Sequence, residues 1–134
     1  MSILSYSTDL STAEPPAPLP AGPYPAEIVS ATERTGGSGS KYLNVIFRIS
    51  PSSYPADFTD GDPDGVEIHY NRIQTDDTGR NRFRMRQFLE RIGVPTMGNR
   101  VDLNSLMGMT ATVEITHQEY EGEQRAQIAR VLAP

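Results

Sequence analysis

Alternation of apolar and polar residues is clearest over residues 42–49. Leu43, Val45, Phe47 and Ile49 share one side of a two-residue period, and Tyr42, Asn44, Ile46 and Arg48 share the other. The pattern predicts a strand whose first set faces a core. A similar pattern over residues 24–35 places Tyr24, Ala26 and Ile28 on one face and Val29 and Ala31 on the other. In residues 66–73, Val66, Ile68, Tyr70 and Arg72 alternate with Glu67, His69, Asn71 and Ile73. Two further strands are predicted at 109–116 and 124–132, joined by a hairpin loop over 118–123. Between the third and fourth strands the period changes. Met85, Phe88, Leu89 and Ile92 fall at helical spacing, so residues 80–92 read as an amphipathic helix. Residues 76–79 supply turn or cap material before it, and Gly93 and Pro95 end it. Phe83, near the helix start, suits either a core or a ligand contact. Residues 102–106 read as a short helical turn.

Five strands with one helix between strands 3 and 4 fit an all-β fold, a five-stranded Greek-key OB-fold barrel. Closing the sheet removes its edges, and the helix covers one open end. An α+β sandwich with the helix laid across the sheet is the alternative. Residues 1–22 read as a flexible proline-rich N-terminal arm, because residues 11–23 hold five prolines in thirteen positions. Residues 23–134 form the domain. The arm is either a free end or a contact to a neighbouring subunit through Ile3, Leu4 and Tyr6. Residues 34–40 are a glycine-rich connection that lacks the Gly-Lys-Ser/Thr ending of a phosphate loop. Residues 51–65 form an acidic loop with Asp57, Asp60, Asp62 and Asp64, which does not complete a calcium-binding pattern.

The chain has 134 residues and a formal charge of −5, which suits a single domain. There is no cysteine, so disulfides, thiolate zinc sites and cysteine catalysis are excluded. No apolar run approaches the ~20 residues needed to span a bilayer, and no leader pattern opens the chain, so a cytoplasmic protein without a membrane partner is expected. No enzyme constellation emerges. His69 and His117 lack a metal-ligand context, no Gly-x-Ser-x-Gly elbow occurs, and the Asp60, Asp62 and Asp64 set sits in one loop without a rigid partner cluster. No cofactor and no metal is expected.

The charge is unevenly spread. Seven arginines and three acids lie in residues 72–100, a net +4, leaving −9 elsewhere. A basic groove on an acidic protein suits a nucleic-acid backbone. Single-stranded DNA asks for phosphate neutralisation and for flat platforms under exposed bases. The candidate DNA-binding residues are Tyr42, Arg48, Tyr70 and Arg72 on the middle strands, with Arg80, Arg82, Arg84 and Arg86 along the helix start. Tyr54, Phe58 and Phe83 are further candidates for stacking. If the face carrying Val66 and Ile68 is the core face, Tyr70 packs inside while His69 and Asn71 meet the ligand.

The chain also resembles the small single-stranded DNA-binding proteins of tailed bacteriophages. The resemblance is carried by Gly22-Pro-Tyr24 leading to Ala26-Glu-Ile28, then Arg34-Thr-Gly36 and Lys41-Tyr-Leu-Asn-Val-Ile-Phe47. The helix Arg84-Met-Arg-Gln-Phe-Leu-Glu-Arg-Ile-Gly93, the stretch from Asp102-Leu to Leu106-Met-Gly108, and the closing Tyr120-Glu-Gly122 and Ile128 complete it. It spans about residues 22–132. It implies an OB-fold and sequence-independent protection of single-stranded DNA in phage replication or recombination, in the host-cell cytoplasm. The implied partners are single-stranded DNA and phage replication or recombination proteins, with a homo-oligomer as a further expectation. The chain departs from bacterial relatives in ending at Pro134 without an acidic tail and in having no tryptophan. The competing class is a phage virion or assembly protein built on a small β-barrel with an interlocking arm.

Overall fold

The computed structural model describes residues 2–13, 17–59, 61–96 and 98–133. Five strands are formed: β1 (Gly22–Thr35), β2 (Lys41–Ile49), β3 (Val66–Gln74), β4 (Thr110–Tyr120) and β5 (Glu123–Val131). The helix α1 (Gly79–Arg91) lies between β3 and β4. Thr78 caps it, its hydroxyl accepting from the Asn81 backbone N–H at 3.2 Å. Phe88 and Leu89, followed by Ile92, turn into the core, as the helical spacing predicts. A 3-10 turn at Leu103–Leu106 is capped by Asp102 and buries Leu106.

The strands form one antiparallel sheet in the order β3-β2-β1-β4-β5. This corrects the expected OB-fold barrel. The sheet is open, β3 and β5 are its edges, and no ladder joins them among the described residues. Two bulges at these edges supply a physical reason. Leu43 pairs with Ile73 and Val45 with Tyr70, so Asn71 and Arg72 together oppose Asn44. Glu114 pairs with Arg130 and Ile115 with Ile128, leaving Ala129 extra on β5. Each bulge bends its strand and breaks the regular spacing of its outward N–H and C=O groups, so the two edges do not mesh. Side chains reach across the gap instead.

The core lies on one face of the curled sheet. Leu43, Val45, Phe47 and Ile49 are fully buried, with Tyr24, Ala26 and Ile28 from β1, Val113 and Ile115 from β4, and Ile128 and Val131 from β5. Bulges change which residues join them. Ile28 pairs with Phe47 but Ser30 with Ile46, so β1 slips by one residue and Ala31, not Val29, returns to the core side opposite Val45. The β3 bulge likewise carries Ile73 into the core beside Ile68 and Tyr70, against the simple alternation. The β4–β5 connection is shorter than expected. The strands pair out to Tyr120 and Glu123, and Glu121 and Gly122 turn with positive φ values of 51° and 80°, a two-residue hairpin.

The N-terminal arm does not end at the sheet. Leu19 is only 2% exposed and belongs to the core, and the carbonyl of Pro20 accepts from the Tyr24 hydroxyl at 2.8 Å. His117 Nε2 donates to the Leu19 carbonyl at 2.8 Å, fixing the arm across β4. Farther out, Ile3, Leu4, Tyr6 and Leu10 are exposed. Glu14, Pro15 and Pro16, part of the proline-rich reading, lie outside the described residues, as does the closing Pro134.

Candidate functional site

The solvent face of β1, β2 and β3 is built in rows, because directly paired residues share a face. Arg34, Tyr42 and Gln74 form the row nearest the glycine-rich connection. Thr32 and Asn44 form the next, beside the bulged Asn71 and Arg72. Ser30, Ile46 and His69 follow, and Glu27, Arg48 and Glu67 close the series. The first three rows carry no carboxylate. The fourth sets Arg48 between two, and its Nε also donates to the Asp64 carbonyl at 2.6 Å. Arg48 is therefore tethered to the acidic loop and flanked by carboxylate-bearing neighbours on both adjacent strands. Tyr42 and Ile46 are half-buried, and His69 Nδ1 donates to Asn44 Oδ1 at 3.3 Å, giving the oxygen of this buried amide a partner.

The remaining sequence-derived candidates separate into distinct places. Tyr70 turns to the core side. Its ring stacks on Phe88 with centroids 6.2 Å apart and meets Phe47 edge-on at 6.4 Å. Burial pushes the Tyr70 phenol up, while Arg72, Arg91 and Arg84 pull it the other way. The arginine series on α1 is not one surface. Arg82 pairs with Asp77, and Arg86 Nε reaches Glu90 Oε1 at 2.9 Å one turn along. Arg80 is exposed in the first turn. Arg84 lies on a different side of the helix, with Gln87, Phe88 and Arg91, and lines the gap between β3 and β5. There Arg72 Nη1 donates to the Ala129 carbonyl at 3.4 Å and Arg91 Nη1 to the Val131 carbonyl at 3.1 Å. The structure thus brings Tyr70, Arg72 and Arg84 together and leaves Tyr42 and Arg48 on the sheet face.

Tyr54 and Phe58 pack edge-to-face on each other at 5.1 Å and lie against the core, and Phe83 is exposed on α1. Burial pushes the Tyr54 phenol up, with Asp62 adding to the shift and Arg48 opposing it. Among the described residues no three His, Cys, Asp or Glu side chains are grouped to hold a metal ion. Asp60, named with Asp62 and Asp64 in the acidic-loop reading, lies outside the described residues.

Two site residues escaped the sequence reading. Arg34 lies within the strand expected over 24–35 and also in the glycine-rich connection read over 34–40, and is not among the candidate DNA-binding residues; β1 runs to Thr35 and pairs Arg34 with Tyr42. The signal is the short glycine-rich connection itself, which returns the chain so that the end of the first strand faces the start of the second. Arg91 enters the charge total and the helix motif but not the candidate DNA-binding residues. Its seven-residue spacing from Arg84 puts both on one helix face.

Comparison with protein-family models and with curated proteins finds no match to this chain. This and the open sheet correct the resemblance read from the sequence. Assignment to the phage single-stranded DNA-binding family, with its OB-fold, is not carried by the short motifs that suggested it.

Proposed function

We propose that this chain binds single-stranded DNA without sequence preference, along the solvent face of β1, β2 and β3. The observation that carries the reading is the three adjacent solvent-face rows without a carboxylate: Arg34, Tyr42 and Gln74; Thr32 and Asn44; Ser30, Ile46 and His69. It offers an aromatic ring at Tyr42, an aliphatic platform at Ile46, side-chain amides and hydroxyls, and a cation at Arg34. This mixture suits a flexible strand whose bases stack and whose phosphates need modest neutralisation. Glu27 and Glu67 repel phosphate at the other end of the face, so the strand lies toward the glycine-rich connection. The proposed activity is binding alone, without turnover of DNA.

Fluorescence anisotropy with labelled oligo-thymidine at two salt concentrations tests this. Preferential binding to single strands over duplex is expected. Tyr42→Ala weakens binding by about 1–3 kcal/mol with little change in salt slope. Arg34→Ala weakens it while flattening the log–log salt slope by roughly 0.7. Arg48→Ala has a smaller effect than either. Absence of binding at low salt overturns the reading.

A second reading has one observation in its favour. Ile3, Leu4, Tyr6 and Leu10 are exposed on the arm, as in a segment that packs on another copy of the chain. Light scattering on the full chain and on a chain lacking residues 2–13 tests it, a shift to lower mass being the expected result for an assembling arm.

A further inference from the structure

We propose that the cleft between β3, α1 and β5 is a binding pocket for a phosphomonoester group, held by Arg72, Arg84 and Arg91. The pocket is a separate site from the sheet face and stands whether or not that face holds DNA. The cavity has a volume of about 200 Å³ and is floored by Tyr70 and Phe88, with Gln87 on its wall. Arg72, Arg84 and Arg91 all line it, and no aspartate or glutamate does. Arg72 and Arg91 are anchored at the β5 side of the cleft by their bonds to the Ala129 and Val131 carbonyls, and Arg84 lines its α1 side.

A structural role accounts for only part of this arrangement. Arg72 and Arg91 each place a hydrogen bond on a β5 carbonyl. A guanidinium has five donors, so most of each fork remains available. Arg84 makes no hydrogen bond across the gap and has no ion-pair partner among the described residues, yet it lines the same cleft. Clustering three like charges costs free energy unless an anion offsets it. On the same helix Arg82 and Arg86 each have a carboxylate partner. The cluster in the cleft lacks one.

The chemistry of the ligand follows from the charges. A single carboxylate compensates one of three cations. A phosphomonoester carries close to two negative charges at neutral pH and presents three oxygens, which match paired guanidinium donors. A phosphodiester inside a strand has one charge and two free oxygens, so it offsets less of the three-arginine cluster. The phosphate therefore belongs to a strand terminus or to a free nucleotide.

Isothermal titration and proton–nitrogen NMR with inorganic phosphate, thymidine monophosphate, and oligo-thymidine with and without a 5′-phosphate test the proposal. Saturable binding of inorganic phosphate is expected, with shifts centred on residues 70–73 and 84–91. Arg84→Gln should weaken it at least tenfold while leaving the fold intact, because Arg84 makes no cross-strand bond. Arg80→Gln, outside the cavity, should leave it unchanged. Tighter binding of the 5′-phosphorylated strand than of the monophosphate identifies a strand end as the source, and equal binding identifies a free nucleotide. No saturable phosphate binding in any form, or equal binding by wild type and Arg84→Gln, overturns the proposal. Oligo-thymidine lacking a 5′-phosphate reports on the sheet face alone, so failure there leaves the pocket untouched.

Discussion

The two ends of the gap between β3 and β5 are closed by opposite means. Near α1, Arg72 and Arg91 reach across to the carbonyls of Ala129 and Val131. At the other end, where β3 and β5 begin, the arm inserts Leu19 beside Val66, Ile68 and Ala126, at the margin of an open cavity of about 680 Å³. Both devices answer the same problem, a sheet edge that no neighbouring strand covers. The polar end leaves charge accessible to solvent and to ligands. The apolar end removes a large side chain from water and belongs to stability. An open edge can therefore hold a binding site at one end and a core contact at the other, and the residue types crossing it tell which.

The comparison breaks most readily at Leu19. Leu19→Ala should cost about 2–5 kcal/mol in urea unfolding, the range for emptying a buried leucine site. A cost below about 1 kcal/mol would show that the arm merely rests on the sheet. Arg91→Met tests the polar end and should cost about 1 kcal/mol, the worth of a partly exposed hydrogen bond. If the two losses are equal, the distinction between the ends fails.

A pH titration sharpens the contrast. Burial, with a smaller contribution from Asp57, pushes the Tyr24 phenol up, and burial does the same at Tyr70. A raised phenol value in the folded state means that the unfolded chain loses its proton first. Stability is then full below the ordinary tyrosine value near 10 and falls as pH rises through the folded values. Tyr70→Phe should reduce that alkaline loss in urea unfolding at pH 9 to 11. The smallest effect belongs to the outer arm. Ser11 donates from its backbone and side chain to Asp9, holding that carboxyl below its ordinary value, but the 3-10 turn at Leu10–Thr12 buries nothing. Asp9→Asn should leave the melting temperature unchanged, locating the arm's contribution at Leu19.

Much of the strand and helix content was legible, because period and burial agree over long runs. The inward set Leu43, Val45, Phe47 and Ile49 needed only the two-residue period. The helix needed only Met85, Phe88, Leu89 and Ile92 with Thr78 ahead of them. The bulges were not legible. Nothing in Tyr70-Asn-Arg-Ile73 announces that an extra residue intervenes, and that residue decides whether Ile73 faces core or solvent. The barrel expectation failed for a related reason: sheet closure depends on edge alignment, which the bulges set and which pattern does not record. Leu19 was hidden by its prolines, since Pro18 and Pro20 mark a non-helical segment without saying whether it is free. Of the candidate site, Tyr42 and Arg48 were placed on the solvent face as expected, but the arginine series could not be divided without knowing which helix face meets the gap.

The docking of Leu19 also bears on time. His117 and the Leu19 carbonyl are 98 residues apart in the chain, whereas Arg72 and Ala129 are 57 apart and Arg91 and Val131 are 40 apart. The entropic cost of closing a loop rises with its length, so the arm is expected to dock after the β-hairpins have formed. A contact made after the folding transition state affects the escape rate from the native state and hardly touches the rate of reaching it. In stopped-flow measurements, Leu19→Ala should accelerate unfolding and leave refolding near the wild-type rate. The segment ahead of β1 then acts as a latch, setting how long the folded chain persists more than how quickly it forms.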